Sequence, residues 1–142
     1  MDTLEIVAVI ASGLFAGASI YINLVEHPAR LSCGTAIAVK QWAPSYKRAT
    51  VMQVSLALVA TVAGIGRGLG GGELLWYLAA ALIFAVIPFT LIVVLPTNNR
   101  LLAPGRDPAS AETQRLLEKW GHLHAVRSGL SLMAFVLFVW AR

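Results

Sequence analysis

Three side chains at the start of the last apolar stretch could do chemistry together. Trp120, His124 and Arg127 lie at positions i, i+4 and i+7, a spacing that places them on one stripe of an α-helix. An imidazole exchanges protons near neutral pH and can bind a metal, while a guanidinium can bind an anionic group. His122 is two residues from His124, about 200° around a regular helix, so it should face away from the stripe. The pattern predicts a polar site where this stretch begins.

The stretches that position these side chains have the composition of a membrane protein. Of the 142 residues, 58% are hydrophobic and 13% are charged, against about half and about a quarter in soluble domains. Four apolar stretches cover about residues 6–25, 49–66, 74–95 and 122–141, each close to the roughly 20 residues that cross the hydrocarbon core as a helix. The sequence therefore predicts an all-α polytopic membrane protein, a bundle of four transmembrane helices that forms a single membrane domain over residues 1–142.

Basic residues indicate the side of the membrane on which each connecting segment lies. Segments 26–48 and 96–121 each contain four Lys or Arg residues, whereas the N-terminus contains none. The positive-inside rule therefore predicts that loops 26–48 and 96–121 are cytoplasmic and that both termini lie outside. Asp107 and Pro108 have the residue types of an N-cap and a first helical turn, so residues 107–121 are predicted to be a cytoplasmic helical extension of the fourth span. The expected location is a bacterial inner (plasma) membrane.

This orientation brings polar residues from all four stretches to the same side of the membrane. The residues at this level are Asn23, His27, Tyr46, Arg48, Gln53, Thr90, Asn98, Trp120, His124 and Arg127. Asn23 and His27 are four apart and share one helical face. Polar side chains at membrane depth face the bundle interior or a wet cavity. A one-sided layer to which every helix contributes therefore predicts a polar pocket near the cytoplasmic leaflet.

Structural explanations compete with the functional one for several of these side chains. Arg127 could extend to the cytoplasmic headgroups and act as an anchor. Gln53 could hold two helices together by a hydrogen bond without touching a substrate. Trp42 and Trp120 could be interfacial belt aromatics, and Arg48 could be a positive-inside anchor.

Residue counts exclude two classes of function. Cys33 is the single cysteine, so the chain has neither an intrachain disulfide nor a cysteine pair for dithiol redox chemistry. The net charge of +4 is spread over segments that flank apolar spans, as membrane topology requires, and no nucleic-acid partner is expected. The expected partners are the lipid bilayer and a lipophilic small molecule. The chain could also form a homo-oligomer or join a larger membrane complex.

Four short motifs occur in an order that is similar to a known family. They are "EHPAR" after the first span, "YKRATVMQ" at the start of the second, "PFTLIVVLPTNNRL" at the end of the third and "WGHLHAVR" at the start of the fourth. In this respect the chain resembles the anthrone oxygenase-like family of small membrane proteins, over about residues 5–140. The positions that match the family's pattern are His27, Pro28, Tyr46, Arg48, Gln53, Thr90, Pro96, Asn98 (with Asn99 competing for the same position), Trp120, His124 and Arg127.

The resemblance implies an oxygenase-like monooxygenase that converts a lipid-soluble aromatic, anthrone- or quinol-like substrate to a quinone with O₂. In that chemistry His124 or His27 would be the general base, and Arg127 would stabilise the developing oxyanion. The catalytic residues would thus be His27, His124 and Arg127. The substrate-binding residues would be Asn23, Tyr46, Arg48, Gln53, Thr90, Asn98 and Trp120. Within that set, Trp120 and Tyr46 would stack on a flat substrate.

Other functions are compatible with the same residues. His27 and His124 with one oxygen ligand could hold copper or iron, and haem between them is a further alternative, although the sequence requires no cofactor. A non-catalytic accessory or scaffold subunit of a larger membrane complex would use the polar layer to lock the bundle. A small-molecule transporter ranks lower, because no carboxylate lies at mid-membrane, where transporters keep coupling residues.

Overall fold

Helices make up almost the whole of the structure, a computed structural model that describes residues 2–71 and 73–141. The helices are α1 (Thr3–Tyr21), α2 (His27–Ser32), α3 (Thr35–Leu69), α4 (Leu74–Phe89), α5 (Leu95–Leu101) and α6 (Ala111–Trp140). They form four rods, Thr3–Ser32, Thr35–Leu69, Leu74–Leu101 and Ala111–Trp140, each long and apolar enough to cross a membrane. The predicted class, an integral multi-pass helical membrane protein with four spans, is therefore confirmed.

Small residues allow the four rods to pack closely. α1 packs against α3 and α6, and α4 packs against the same two helices, so the four rods form a closed ring. Fully buried alanines line the contacts, namely Ala8, Ala57, Ala60, Ala79 and Ala134. A Cβ atom on Gly64 would lie 2.6 Å from the ring of Phe138. Close approach of this kind is how membrane helices gain packing energy, because lipid supplies no hydrophobic drive between them.

The segment predicted as the first cytoplasmic loop, 26–48, is helical along most of its length. It contains α2, a tight turn at Cys33 and Gly34, and the first part of α3. Gly34 has a φ of 90°, a conformation that residues with a side chain rarely adopt. α3 then continues through Pro44 without interruption. The count of basic residues predicts the side of the membrane for this segment but does not determine its secondary structure.

The start of α6 differs from the predicted start at Asp107 and Pro108. The helix begins at Ala111, and the Ser110 side chain caps it by accepting a hydrogen bond from the Thr113 backbone N–H at 3.1 Å. Asp107 instead closes the preceding turn, where its side chain accepts from the Ala109 N–H at 2.9 Å. Asp107 and Ser110 are both good caps, and only one can begin the helix.

Two π-helical turns interrupt the first and third rods. The first π turn, Ile22–Glu26, joins α1 to α2, and the second π turn, Thr90–Val94, joins α4 to α5. Each ends two residues before a proline, Pro28 or Pro96, which removes one backbone donor from its helix. A π turn inserts one extra residue into a helix and often occurs at functional sites. Both turns lie at the end of the bundle where the polar residues gather.

Ion pairs link the first two rods at the end of the bundle opposite the polar residues. The Arg67 Nε atom lies 2.7 Å from Glu5 Oε1 and 3.2 Å from Asp2 Oδ2. Asp2 and Glu5 also form a capping box at the start of α1. This contact fixes the N-terminal end of the first rod against the end of α3.

Candidate functional site

Asn23, in the first π turn, is the centre of a hydrogen-bond cluster with α6. Its Oδ1 accepts from His124 Nδ1 at 2.7 Å and from Ser128 Oγ at 2.6 Å. Its Nδ2 donates to the backbone carbonyl of Gly121 at 3.0 Å. Because Nδ1 of His124 donates in this arrangement, Nε2 is the nitrogen that lacks a proton when the ring is neutral. Asn23 therefore fixes both the orientation and the tautomer of this imidazole.

The second histidine, His27, is held by a different part of α6. Its Nε2 donates to the backbone carbonyl of Leu117 at 2.9 Å, and its ring lies 5.0 Å from that of Trp120. Gly121 makes room for this ring, since a Cβ atom there would lie 2.8 Å from His27 Cδ2. The Nδ1 atom of His27 is buried without a hydrogen-bond partner among the described residues.

Arg127 lies inside the bundle and does not extend to the headgroups, which removes the alternative of an anchor. The residue is 6% exposed, and its Nη2 donates to Gln53 Oε1 at 2.8 Å. Gln53 in turn donates to Ser19 Oγ at 3.2 Å, and the guanidinium carbon lies 5.8 Å from the Phe15 ring centre. Within residues 2–71 and 73–141, no carboxylate forms an ion pair with Arg127. The direct partners of this buried cation, Gln53 and Phe15, are thus neutral.

Two neighbouring cavities meet at Arg127. The polar cavity, of about 10 Å³, is lined by side chains that include Arg30, Ser45, Tyr46, Trp120, His124 and Arg127. The apolar cavity, of about 100 Å³, lies between α3 and the rod formed by α4 and α5, with Val54, Ala57, Val86, Ile87, Leu91 and Leu95 on its walls. Tyr46, Thr50 and Arg127 line both. An apolar chamber therefore ends in a polar pocket that contains an imidazole and two guanidinium groups.

Arg30 belongs to this pocket, whereas the sequence indicates it only as one of the positive charges that orient the chain. It is 5% exposed, and its Nη2 donates to Glu26 Oε1 at 2.6 Å. The same carboxylate oxygen accepts from Ser45 Oγ at 2.6 Å and from Gln41 Nε2 at 3.0 Å. The i, i+4 spacing of Glu26 and Arg30 in "EHPAR" is the sequence pattern that could have indicated this pair.

Buried aromatic rings form one wall of the site. Trp42 is fully buried and stacks on Tyr46, with ring centres 5.0 Å apart. Trp120 is 3% exposed and meets Trp42 edge-on at 5.9 Å and His124 at 4.8 Å. Neither tryptophan is an interfacial belt residue, so that alternative is wrong for both.

Three predicted substrate-binding residues lie outside the polar pocket. Arg48 is exposed on α3, because it is two residues from Tyr46 and therefore about 200° away around the helix. Thr90 lines the apolar cavity, but its hydroxyl donates to the Val86 carbonyl of its own rod at 2.7 Å. Asn98 is fully buried and does not line either of the two cavities described above; its two amide atoms have no hydrogen-bond partner among the described residues. The other seven predicted residues surround or support the pocket.

The surroundings of the histidines bear on the metal alternative. Among the described residues, no group of three His, Cys, Asp or Glu side chains is placed to hold a metal. His27 and His124 each use one ring nitrogen for a different partner, Leu117 O and Asn23 Oδ1. His122, two residues from His124, is exposed, as the helical spacing predicts.

The fold and the site together define a class, a four-span helical membrane protein with a polar, aromatic-walled pocket at the end of an apolar cavity. Comparison with known proteins identifies the family. The family model for anthrone oxygenase matches residues 42–137. An anthrone oxygenase of Aspergillus fumigatus, tpcL, is 34% identical over 140 residues, which cover 92% of this chain and 87% of the relative. An anthrone oxygenase of Claviceps purpurea is 30% identical over 146 residues, 92% of this chain and 84% of the relative.

The chain therefore belongs to the anthrone oxygenase family. No solved structure matches it. Both relatives named here are fungal, and each aligns with this chain over most of its own length.

Proposed function

We propose that the chain is a membrane-embedded oxygenase that converts a lipid-soluble, anthrone- or quinol-like aromatic substrate to a quinone in the polar pocket. Family membership supports the reaction type. The observation that carries the proposal is Arg127, a buried cation with neutral partners and no carboxylate among the described residues. A buried charge without a counter-ion is costly, so it indicates a site built for a negative charge that develops during reaction.

The reaction can be written with these residues. His124 Nε2 removes a proton from the acidic CH₂ of the substrate, and the electron pair moves to the carbonyl oxygen, where Arg127 stabilises the oxyanion. The resulting carbanion transfers electrons to O₂, and a C–O bond forms to give a peroxide, which takes up a proton. Loss of the remaining C–H proton with cleavage of the O–O bond releases water. The balance is R₂CH₂ + O₂ → R₂C=O + H₂O.

His124 is a better candidate base than His27. His124 lines the polar cavity, whereas the described lining of that cavity does not include His27. Asn23 already holds Nδ1 of His124, which leaves the other nitrogen to take the proton. His27 instead supports the ring of Trp120 from the side, so its role in the proposal is to position that wall of the pocket.

The apolar cavity supports entry of the substrate from the bilayer. Leu91, on its wall, is 60% exposed on the outer surface of the bundle. The cavity of about 100 Å³ is smaller than the roughly 300 Å³ at which small-molecule sites begin. The polar cavity is smaller still, at about 10 Å³. Binding of a fused aromatic would therefore require the helices around both cavities to move apart. The positive-inside rule supports an orientation with this end at the cytoplasmic leaflet of a plasma membrane and both termini outside.

The test measures the oxidation of a hydroxylated anthrone by the purified protein in lipid nanodiscs. The readouts are O₂ uptake and quinone absorbance. The protein-dependent rate is the total rate minus the rate of the protein-free oxidation. We expect His124→Asn and Arg127→Gln each to lower this protein-dependent rate by roughly a hundredfold or more. The matched controls are His122→Asn and Arg115→Gln, which change exposed residues on the same helix. A wild-type rate equal to the protein-free rate would reject the oxygenase and leave the non-catalytic scaffold. Equal rates for the site and control variants would reject the assigned roles.

A further inference from the structure

Arg30 is a second buried guanidinium in the polar cavity, and the proposed reaction does not use it. It lines the cavity with His124 and Arg127 and is 5% exposed. One of its nitrogens, Nη2, is bound by Glu26 and Ser45, at 2.6 and 3.2 Å. The other two, Nε and Nη1, are buried and have no hydrogen-bond partner among the described residues. Buried donors without partners cost free energy, so these two nitrogens are available to donate hydrogen bonds to an oxygen of a bound ligand.

The electrostatic surroundings of Arg30 and Arg127 differ. The Glu26 carboxylate neutralises Arg30 at 2.6 Å, whereas Arg127 meets the neutral amide of Gln53. A neutralised guanidinium still donates hydrogen bonds but has little preference for an anion. The pair Arg30–Glu26 is therefore suited to an uncharged oxygen, and Arg127 to an oxygen that becomes charged.

The two arginines reach the cavity from different elements. The Arg30 guanidinium lies 5.9 Å from the Trp120 ring centre. Arg127 follows Trp120 by seven residues along α6, about 10 Å of backbone rise, and His124 lies between them. Both guanidinium groups line the same cavity, so each can contact a different oxygen of one substrate.

We infer that Arg30, held by Glu26, is a specificity-determining residue that donates hydrogen bonds to an uncharged oxygen substituent on an outer ring of the substrate. The inference deepens the proposed function and rests on it for the nature of the substrate. Its geometry, however, concerns binding alone and can be tested without turnover.

The experiment titrates the protein in lipid nanodiscs with anthraquinones, which are already oxidised, and follows the quenching of tryptophan fluorescence. One ligand carries a methoxy group on an outer ring and the other is unsubstituted. The wild type should prefer the methoxy ligand, and Arg30→Gln should reduce that preference roughly tenfold to a hundredfold. The matched control, Arg115→Gln, should keep it. An unchanged preference in Arg30→Gln, or equal weakening of both ligands, would overturn the inference.

A second variant tests the neutralising role of Glu26. It also replaces the first test if circular dichroism shows that Arg30→Gln does not fold. Glu26→Gln keeps the guanidinium but removes its charge partner. It should raise the affinity for an outer-ring carboxylate relative to the methoxy ligand, and an unchanged ratio would contradict the inference. The two proposals can fail separately. Binding with the expected preference but without anthrone oxidation rejects the oxygenase alone, and oxidation with binding that is independent of Arg30 rejects the inference alone.

Discussion

Replacing Gly121 by alanine should disrupt the packing of His27 on α6. An added Cβ would lie 2.8 Å from His27 Cδ2 and 2.9 Å from Nε2. Both distances are shorter than the ordinary van der Waals contacts of a Cβ atom, so the imidazole has to move. The Nε2 atom that must move is the one that donates to Leu117 O at 2.9 Å. The substitution therefore adds a clash and removes a buried hydrogen bond.

The size of the effect follows from these two contacts. Overpacking a tight interior costs about 1–3 kcal/mol, and leaving a buried donor and acceptor unpaired costs about 1–3 kcal/mol. Alanine regains up to ~1 kcal/mol of helix propensity. The free energy of unfolding of Gly121→Ala should therefore fall by about 1–6 kcal/mol on balance.

The assay unfolds the detergent-solubilised protein with sodium dodecyl sulfate and monitors the loss of helix by circular dichroism. The matched control is Gly129→Ala on the same helix, where an added Cβ meets nothing within 4 Å. That variant should be unchanged or more stable by up to ~1 kcal/mol. In a His27→Ala background the cost of Gly121→Ala should disappear, because the ring is gone. If Gly121→Ala is as stable as Gly129→Ala, or if its cost survives without the ring, the reasoning is refuted.

Three further substitutions test other contacts. Asn23→Ala should cost about 2–4 kcal/mol of unfolding free energy, because its three partners on α6 lose their hydrogen bonds; a cost equal to that of the exposed control Asn99→Ala would contradict this. Gln53→Leu should cost about 2–3 kcal/mol by leaving Arg127 without its acceptor, and an unaltered unfolding curve would show that the hydrogen bond contributes nothing. Arg67→Gln should lower the melting temperature at low ionic strength, and the difference from the wild type should shrink in high salt; a gap independent of salt would argue against the ion pairs.

Periodicity and apolar length predicted most of the architecture from the sequence. The four spans follow from runs of about 20 apolar residues, and each falls within one helical rod to within one residue at its ends. The 3.6-residue period also distinguished His124, which is 1% exposed, from the exposed His122. These predictions held because they depend on one helix at a time.

The remaining side-chain placements depend on neighbouring helices. Arg48 and Asn98 lie at the predicted depth, but depth does not specify the direction of a side chain around its helix. The sequence indicates Arg30 only as a positive charge, and the structure buries it. The sequence predicts Asp107 as the N-cap, whereas Ser110 caps α6; both residue types are good caps, so residue type alone does not decide between them.

The first π turn determines the effect of a one-residue deletion in the first rod. Ile22–Glu26 contains one residue more than a regular helical turn would. The turn accommodates this extra residue, so deleting one residue here would restore a regular α turn and leave His27 and Arg30 facing α6. A relative shorter by a single position within the π turn would therefore keep both its hydropathy profile and the positions of these side chains.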